Sequence, residues 1–313
     1  KYGEAMKSIL GAYRKGFFGG CVALHSNGLI WAAREGYALT WMNSVMGGVP
    51  QTPRAGYTVE INALWYNAVC YALELAKKCG DKDFVAEWKA LPKQTKQAFI
   101  ECFYLNEEGY LADYTNFDEV NKFIRCNMVV ACGLDYRMLD DEKLLRTLMV
   151  IRQHLLTPRG LRTLSPRNLL YKSNYNEDQR SQDLASRNGS AWVWPLMFYI
   201  KAGFILGGER FLADAEQIIE AFDGELQNKC VGSISERFEG DPPHNPRGSV
   251  SHAVSVGGLL YINTLIEEYR PKRAARKACA TRKCTKKEES AVKKCAKREE
   301  SAAKKSVKKS VKK

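Results

Sequence analysis

The chain has 313 residues, 45% hydrophobic, with a formal net charge of +13, which is enough for one large domain or two ordinary ones. The charge is uneven: residues 271–313 hold 18 Lys/Arg against 4 Asp/Glu, whereas residues 1–270 hold 30 against 31. The body is therefore near neutral, and any pull toward nucleic acid or another polyanion belongs to the tail. The ten Cys contain no CxxC pair and the four His are scattered, so spacing gives no zinc site. Free thiols without a recognisable signal peptide predict a reducing cytoplasm, and no apolar run approaches the length that spans a bilayer.

In chain order, eight helices are predicted, near 3–17, 60–79, 83–103, 118–133, 141–155, 189–206, 208–226 and 249–269. The second is typical: Ile61, Leu64, Trp65, Ala68, Val69, Ala72 and Ala76 recur at helical spacing. Strand signals are confined to Gly109–Asp113 and the loop after Leu29. The chain starts at Lys1 in a stretch that already reads as helix, so an N-terminally incomplete domain is expected. Loops 18–59, 156–188 and 227–248 are long and rich in Gly, Pro, Asn, Arg and aromatics. Loops of that length in a compact domain usually carry function. The predicted architecture is an all-α toroid whose loops build one site. From Arg270 onward the chain is Lys-rich, with KKEESAVKKCA echoed by KREESAAKKSV. Such a segment buries too little apolar surface to fold alone, and it resembles a linker-histone tail. Disorder is expected there, with non-specific phosphate binding as its possible activity.

Three blocks carry chemistry. Residues 38–67 combine Trp41, Arg54, Glu60 and Trp65 with several amides around a Pro/Gly-rich loop, the mix that holds a sugar. Residues 231–248 place Glu236, Glu239 and Asp241 beside a Pro-Pro turn and Arg247. Glycoside hydrolysis needs one carboxylic acid and one carboxylate, although an acidic loop alone is more often solvated or ion-paired. Residues 155–167, with Arg162, precede Arg187-Asn188-Gly189-Ser190 and the alternating Trp192 and Trp194. A Trp pair in that setting packs in a core more often than it stacks on sugar.

The ordered series TWMNS, TPRAGYTVEINALWYN, EGYLADY, TPRGLRTLSP, NGSAWVWP and GSISERFEGDPPHNPRG resembles the C-terminal domain of glycogen debranching enzymes, the amylo-alpha-1,6-glucosidase family, over residues 1–269. The resemblance implies an (α/α)6 barrel and inverting hydrolysis of the α-1,6-linked branch stub of glycogen or limit dextrin, with release of glucose and no metal or organic cofactor. It maps the family's base onto Glu236 and its acid onto Asn43. Trp41, Arg54, Trp65, Asn188, Trp192 and Trp194 become substrate-binding candidates. An amide is not a useful proton donor, so three readings stand at position 43. Another carboxylate serves as the acid, with Glu60 the nearest; or Asn43 only positions substrate in a crippled enzyme or a glucan binder; or the acid is assigned wrongly. Two further departures are the small number of helices and Ser186-Arg187, where the family more often has Tyr-His.

Overall fold

The long loops are stitched into sheet rather than left open. The computed structural model describes residues 2–174, 178–228 and 230–270. Its helices are α1 (Tyr2–Lys15), α2 (Val59–Lys78), α3 (Lys82–Trp88), α4 (Leu91–Phe103), α5 (Met128–Gly133), α6 (Asp141–His154), α7 (Gln179–Asn188), α8 (Leu196–Gly207) and α9 (Leu212–Glu220). Residues 253–264 are also helical. Among the described residues, fourteen strands of two or three residues form five small antiparallel sheets. The composition is about 49% helix and 12% strand, so the expectation of an all-α toroid is corrected: helices alone do not make this fold.

The physical reason is local. Residues 120–121 pair with 114–115, which delays the helix expected over 118–133 until Met128. Ala191–Trp192 is a strand, so the helix expected from 189 starts at Leu196. The expected 83–103 helix breaks before Leu91-Pro92, where a proline in the first turn of α4 fits a helix start and not an interior. Helix α7 lies inside a stretch read as loop. It is capped by the Asp178 side chain, which accepts from Ser181 N at 2.9 Å, a favoured N-terminal arrangement.

Two units are distinguished: residues 1–264 and residues 265–313. In the second, the described residues 265–270 are helical. The basic segment 271–313, and its expected disorder, lie outside the described residues. Within the first unit, one core gathers Leu10 of α1, Val22 and Ile30 of the following hairpin, Trp65, Val69 and Leu73 of α2, and Phe84 and Trp88 of α3. Burying an aliphatic or aromatic side chain contributes roughly 1.5–3 kcal/mol each. Helix α5 is buried along its whole length and packs against α2, α6 and α8. The α2 periodicity is imperfect: Leu64 is 44% exposed, although it shares the predicted apolar spacing.

The largest sheet positions the site. Its strand order is Leu156–Thr157, Gly160–Arg162, Ala191–Trp192, Arg237–Phe238 and Pro246–Arg247. The register sets Leu161 opposite Trp192, and Trp192 opposite Arg237. Three blocks far apart in sequence are thereby laid side by side.

Candidate active site

Trp41 and Asn43 precede a two-residue hairpin turn in which Gly47 and Gly48 both take positive φ, 56° and 75°. That turn geometry favours glycine at both positions. Met42 is fully buried, which anchors this loop segment, while Asn43 beside it is exposed. The Trp41 indole N–H donates to Asn127 Oδ1 at 2.8 Å. Its ring meets Trp192 and Trp194 edge-to-face, with centroids 5.4 and 5.1 Å away, a favourable aromatic geometry. Trp192 is itself fixed by an indole N–H bond to the Ser186 carbonyl at 2.9 Å.

Arg187 closes this cluster. It stands at the end of α7, with its guanidinium 5.3 Å from the Trp41 ring centroid and 5.2 Å from that of Trp192. Its Nη2 donates to Asn43 Oδ1 at 3.3 Å, and its Nη1 donates to Ser186 Oγ. Arg237 approaches the same Trp192 ring at 5.5 Å. Burial, and then the neighbouring Arg237 charge, hold the Arg187 pKa below its ordinary value, while Glu236 acts in the opposite sense.

Glu236 is poised beside this pair. Its side chain is 21% exposed. Oε1 accepts from Arg237 Nη1 at 2.7 Å and Oε2 from Ser249 N at 3.0 Å, which leaves a carboxylate held on two sides with a face still open. Gly248 has φ +74°, and a Cβ there would stand 2.3 Å from Glu236 Oε2, so the glycine is what lets the backbone pass the carboxylate. The other acids of this loop are committed elsewhere. Glu239 is buried and accepts from Arg247 at 2.6 and 3.0 Å and from Asn245 at 2.8 Å. Asp241 accepts from the Tyr171 hydroxyl at 2.9 Å, and Arg162 donates to the adjacent Gly240 carbonyl at 2.8 Å.

Arg54 and Glu60 lie in a dry network. Their side chains are 2% and 3% exposed. Arg54 grips both Glu60 oxygens at 2.5 and 2.6 Å, and both Asp113 oxygens at 2.8 and 3.0 Å. Burial alone would lower the Arg54 pKa, but Asp113 and then Glu60 outweigh it, so the guanidinium is held charged. Asp113 accepts from Asn127 Nδ2 at 2.7 Å, and Asn127 in turn holds Trp41. The network therefore runs from Arg54 through Asp113 and Asn127 to the aromatic cluster. Asn188 is buried, and its Oδ1 accepts from Arg125 Nη2 at 2.8 Å.

The structure thus brings together Trp41, Asn43, Trp192, Trp194 and Glu236 around Arg187 and Arg237. It does not bring Trp65 to them: that ring packs against Tyr13 and Trp88 and donates to the Gly28 carbonyl at 3.2 Å. Asp113 and Asn127 are not singled out by sequence, because nothing in their local spacing separates them from ordinary polar residues; Arg237 enters there only as an ion-pair partner for Glu236, a pair the structure contains. Among the described residues, no group of three or more His, Cys, Asp or Glu side chains is placed to hold a metal ion.

Similarities to known proteins identify the family. The chain is 27% identical over 220 residues to the glycogen debranching enzyme of Saccharomyces cerevisiae, a match covering 56% of this chain and 14% of that protein. A sialidase structure superposes with a TM-score of 0.56 at 11% identity, covering 79% of this chain and 22% of the other, a likeness of fold alone. Neutral trehalase Nth1 from Saccharomyces cerevisiae gives a TM-score of 0.48 at 16% identity, over 68% of this chain and 39% of the other. The family model for amylo-alpha-1,6-glucosidase matches residues 2–261, and the chain accordingly belongs to that family, whose chemistry is glycoside hydrolysis in glycogen metabolism.

Proposed function

We propose that this chain binds the α-1,6-linked branch stub of glycogen or limit dextrin against Trp41 and Trp194, which the buried Trp192 ring supports from beneath, with Glu236 as the base of an inverting hydrolysis whose acid step is impaired. Glu236 takes a proton from the water that attacks the anomeric carbon. The departing 6-oxygen must gain a proton from the opposite side. At the position that the family resemblance gives to the acid stands Asn43, whose amide has none to give. The observation that carries the reading is the Asn43 oxygen accepting from Arg187, a cation where a proton donor would have to work. Glu60 is assigned a supporting role: both of its oxygens are held by Arg54 in a dry site, so it has no free face to offer a substrate. Asn188 likewise supports the loop through Arg125, and Trp65 supports the core.

No described helix is long and apolar enough to cross a membrane, and the seven described cysteines are free, which fits a cytoplasmic setting. For residues 271–313 the proposal is charge-driven polyanion binding. Deleting them should remove any salt-sensitive nucleic-acid retention and leave dextrin binding intact. The main test measures limit-dextrin binding and glucose release on the same preparation. The expected result is binding that weakens in Trp41→Ala and Trp194→Ala, with weak glucose release that Glu236→Gln removes. Absence of dextrin binding would overturn the glucan reading, and vigorous glucose release from the unaltered chain would overturn the impaired acid step.

A further inference from the structure

Arg187 carries more charge than a neutral sugar needs. Two guanidiniums, Arg187 and Arg237, face the one Trp192 ring at 5.2 and 5.5 Å. Arg237 has Glu236 as its carboxylate partner at 2.7 Å. The hydrogen bonds of Arg187 go to two neutral oxygens, the Ser186 hydroxyl and the Asn43 amide, and among the described residues no carboxylate lies within ion-pair distance of it. Its Nε is buried and makes no hydrogen bond among the described residues. A partly desolvated cation beside a second cation is costly unless an anion approaches it. The guanidinium fork matches the oxygens of a carboxylate or phosphate in pairs, which a sugar hydroxyl does not.

We propose that Arg187 forms an anion subsite at the aromatic cluster, so that the preferred sugar is a glucosyl unit bearing a phosphate or carboxylate substituent. Trp41 and Trp194, set edge-to-face, hold the sugar face while Arg187 takes the oxyanion. This rests on the glucan-binding reading but adds a substituent class that neutral glycogen lacks.

The test is calorimetric titration of the full chain with glucose 6-phosphate, glucuronate, glucose and inorganic phosphate, alongside limit dextrin. Charge-assisted hydrogen bonds of this kind predict roughly 10–100-fold tighter binding of the two anionic sugars than of glucose. Arg187→Gln should bring that preference within about twofold, while Arg187→Lys, a point charge, should keep part of it for the phosphate and less for the carboxylate. An unchanged melting temperature and near-UV circular dichroism spectrum in each variant show that the site is still folded. Equal affinity for glucose and both anionic sugars in the unaltered chain overturns the proposal even if dextrin binds. Inorganic phosphate binding as tightly as glucose 6-phosphate also overturns it, since the sugar would then contribute nothing. If dextrin fails to bind while the anionic sugars do, the glucan reading falls and the anion subsite stands.

Discussion

Restoring an acid at position 43 tests whether Arg187 governs the chemistry there. Asn43 Oδ1 lies 3.3 Å from Arg187 Nη2. Unit charges at that separation attract by roughly 5 kcal/mol at an effective dielectric constant near 20. Asn43 is exposed, so water screens much of this, and an opposite charge at such range typically lowers a carboxyl pKa by about 1–3. In Asn43→Asp the introduced carboxyl is therefore held well below its ordinary value of about 3.9. At pH 5 its protonated fraction falls from roughly 7% to between about 1% and 0.01%. A lowered pKa means the acid form is lost as pH rises through the lower value, so the single variant lacks its proton donor across the working range. In Asn43→Asp combined with Arg187→Gln the donor returns, and glucose release at pH 5 should exceed that of the single variant by about 10–1000-fold. The double variant should also lose rate about tenfold per pH unit above pH 4. Glucose release from limit dextrin, followed from pH 4 to 7, reads both effects. Equal rates for the single and double variants would refute the argument, because Arg187 would then have no hold on position 43.

Other outcomes follow from particular contacts. In the Asn43→Asp, Arg187→Gln background, Glu236→Gln should cost about 10²–10⁴ in glucose release while dextrin affinity changes little. In the same background, Gly248→Ala should impair release more than binding, because the new Cβ meets Glu236 Oε2; a crystal structure or a kcat-against-KM comparison checks this. Arg54→Met strands Glu60 in a dry site, while Asp113 keeps Arg125 at 3.5 Å and Asn127 at 2.7 Å, and should destabilise the fold by about 3–5 kcal/mol, seen as a fall of about 10 °C in melting temperature. Burial, and next the Asp113 charge, push the Cys126 thiol up to about 12. This group's folded pKa is raised, so its stabilising contribution is complete below the unfolded value near 8.5 and is lost as pH rises toward about 12. Cys126→Ala should flatten alkaline unfolding over that window, and native Cys126 should resist alkylation at pH 8.

The helical scaffold was legible because period-3.6 patterning survives in α2, α6 and α9 without tertiary information. The short strands were not, because two or three residues carry no usable alternation: Ala191–Trp192 looks like the first turn of a helix until Arg237 and Leu161 pair with it. That same pairing explains what was legible in the site. Trp41, Trp192, Trp194 and Glu236 are candidates through ordered motifs, and the five-stranded sheet and the Trp41 loop gather them. Glu60 shows the opposite case. It lies in the same block as Trp41 and Arg54, and linear proximity made it the nearest substitute acid. The first turn of α2 instead turns it into the dry ion pair with Arg54, and only the network through Asp113 and Asn127 connects it with Trp41.

Position 43 and position 187 are best understood together. They are 144 residues apart, and each is an ordinary polar residue when read alone. In space, the Asn43 amide is a neutral acceptor for a partly desolvated guanidinium, and a carboxylic acid there would be stripped of its proton by that same guanidinium. Replacing either residue alone therefore leaves the acid step blocked: Arg187→Gln still offers an amide, and Asn43→Asp offers an acid already ionised. The local electrostatics make the two positions a coupled pair, so the interaction between the two substitutions in a double-mutant cycle should be large and positive for glucose release. The same cycle measured on dextrin affinity should be close to additive, because Trp41 and Trp194 hold the sugar face in either case. An additive cycle for release would show that the missing proton donor, and not its guanidinium neighbour, is the whole of the impairment.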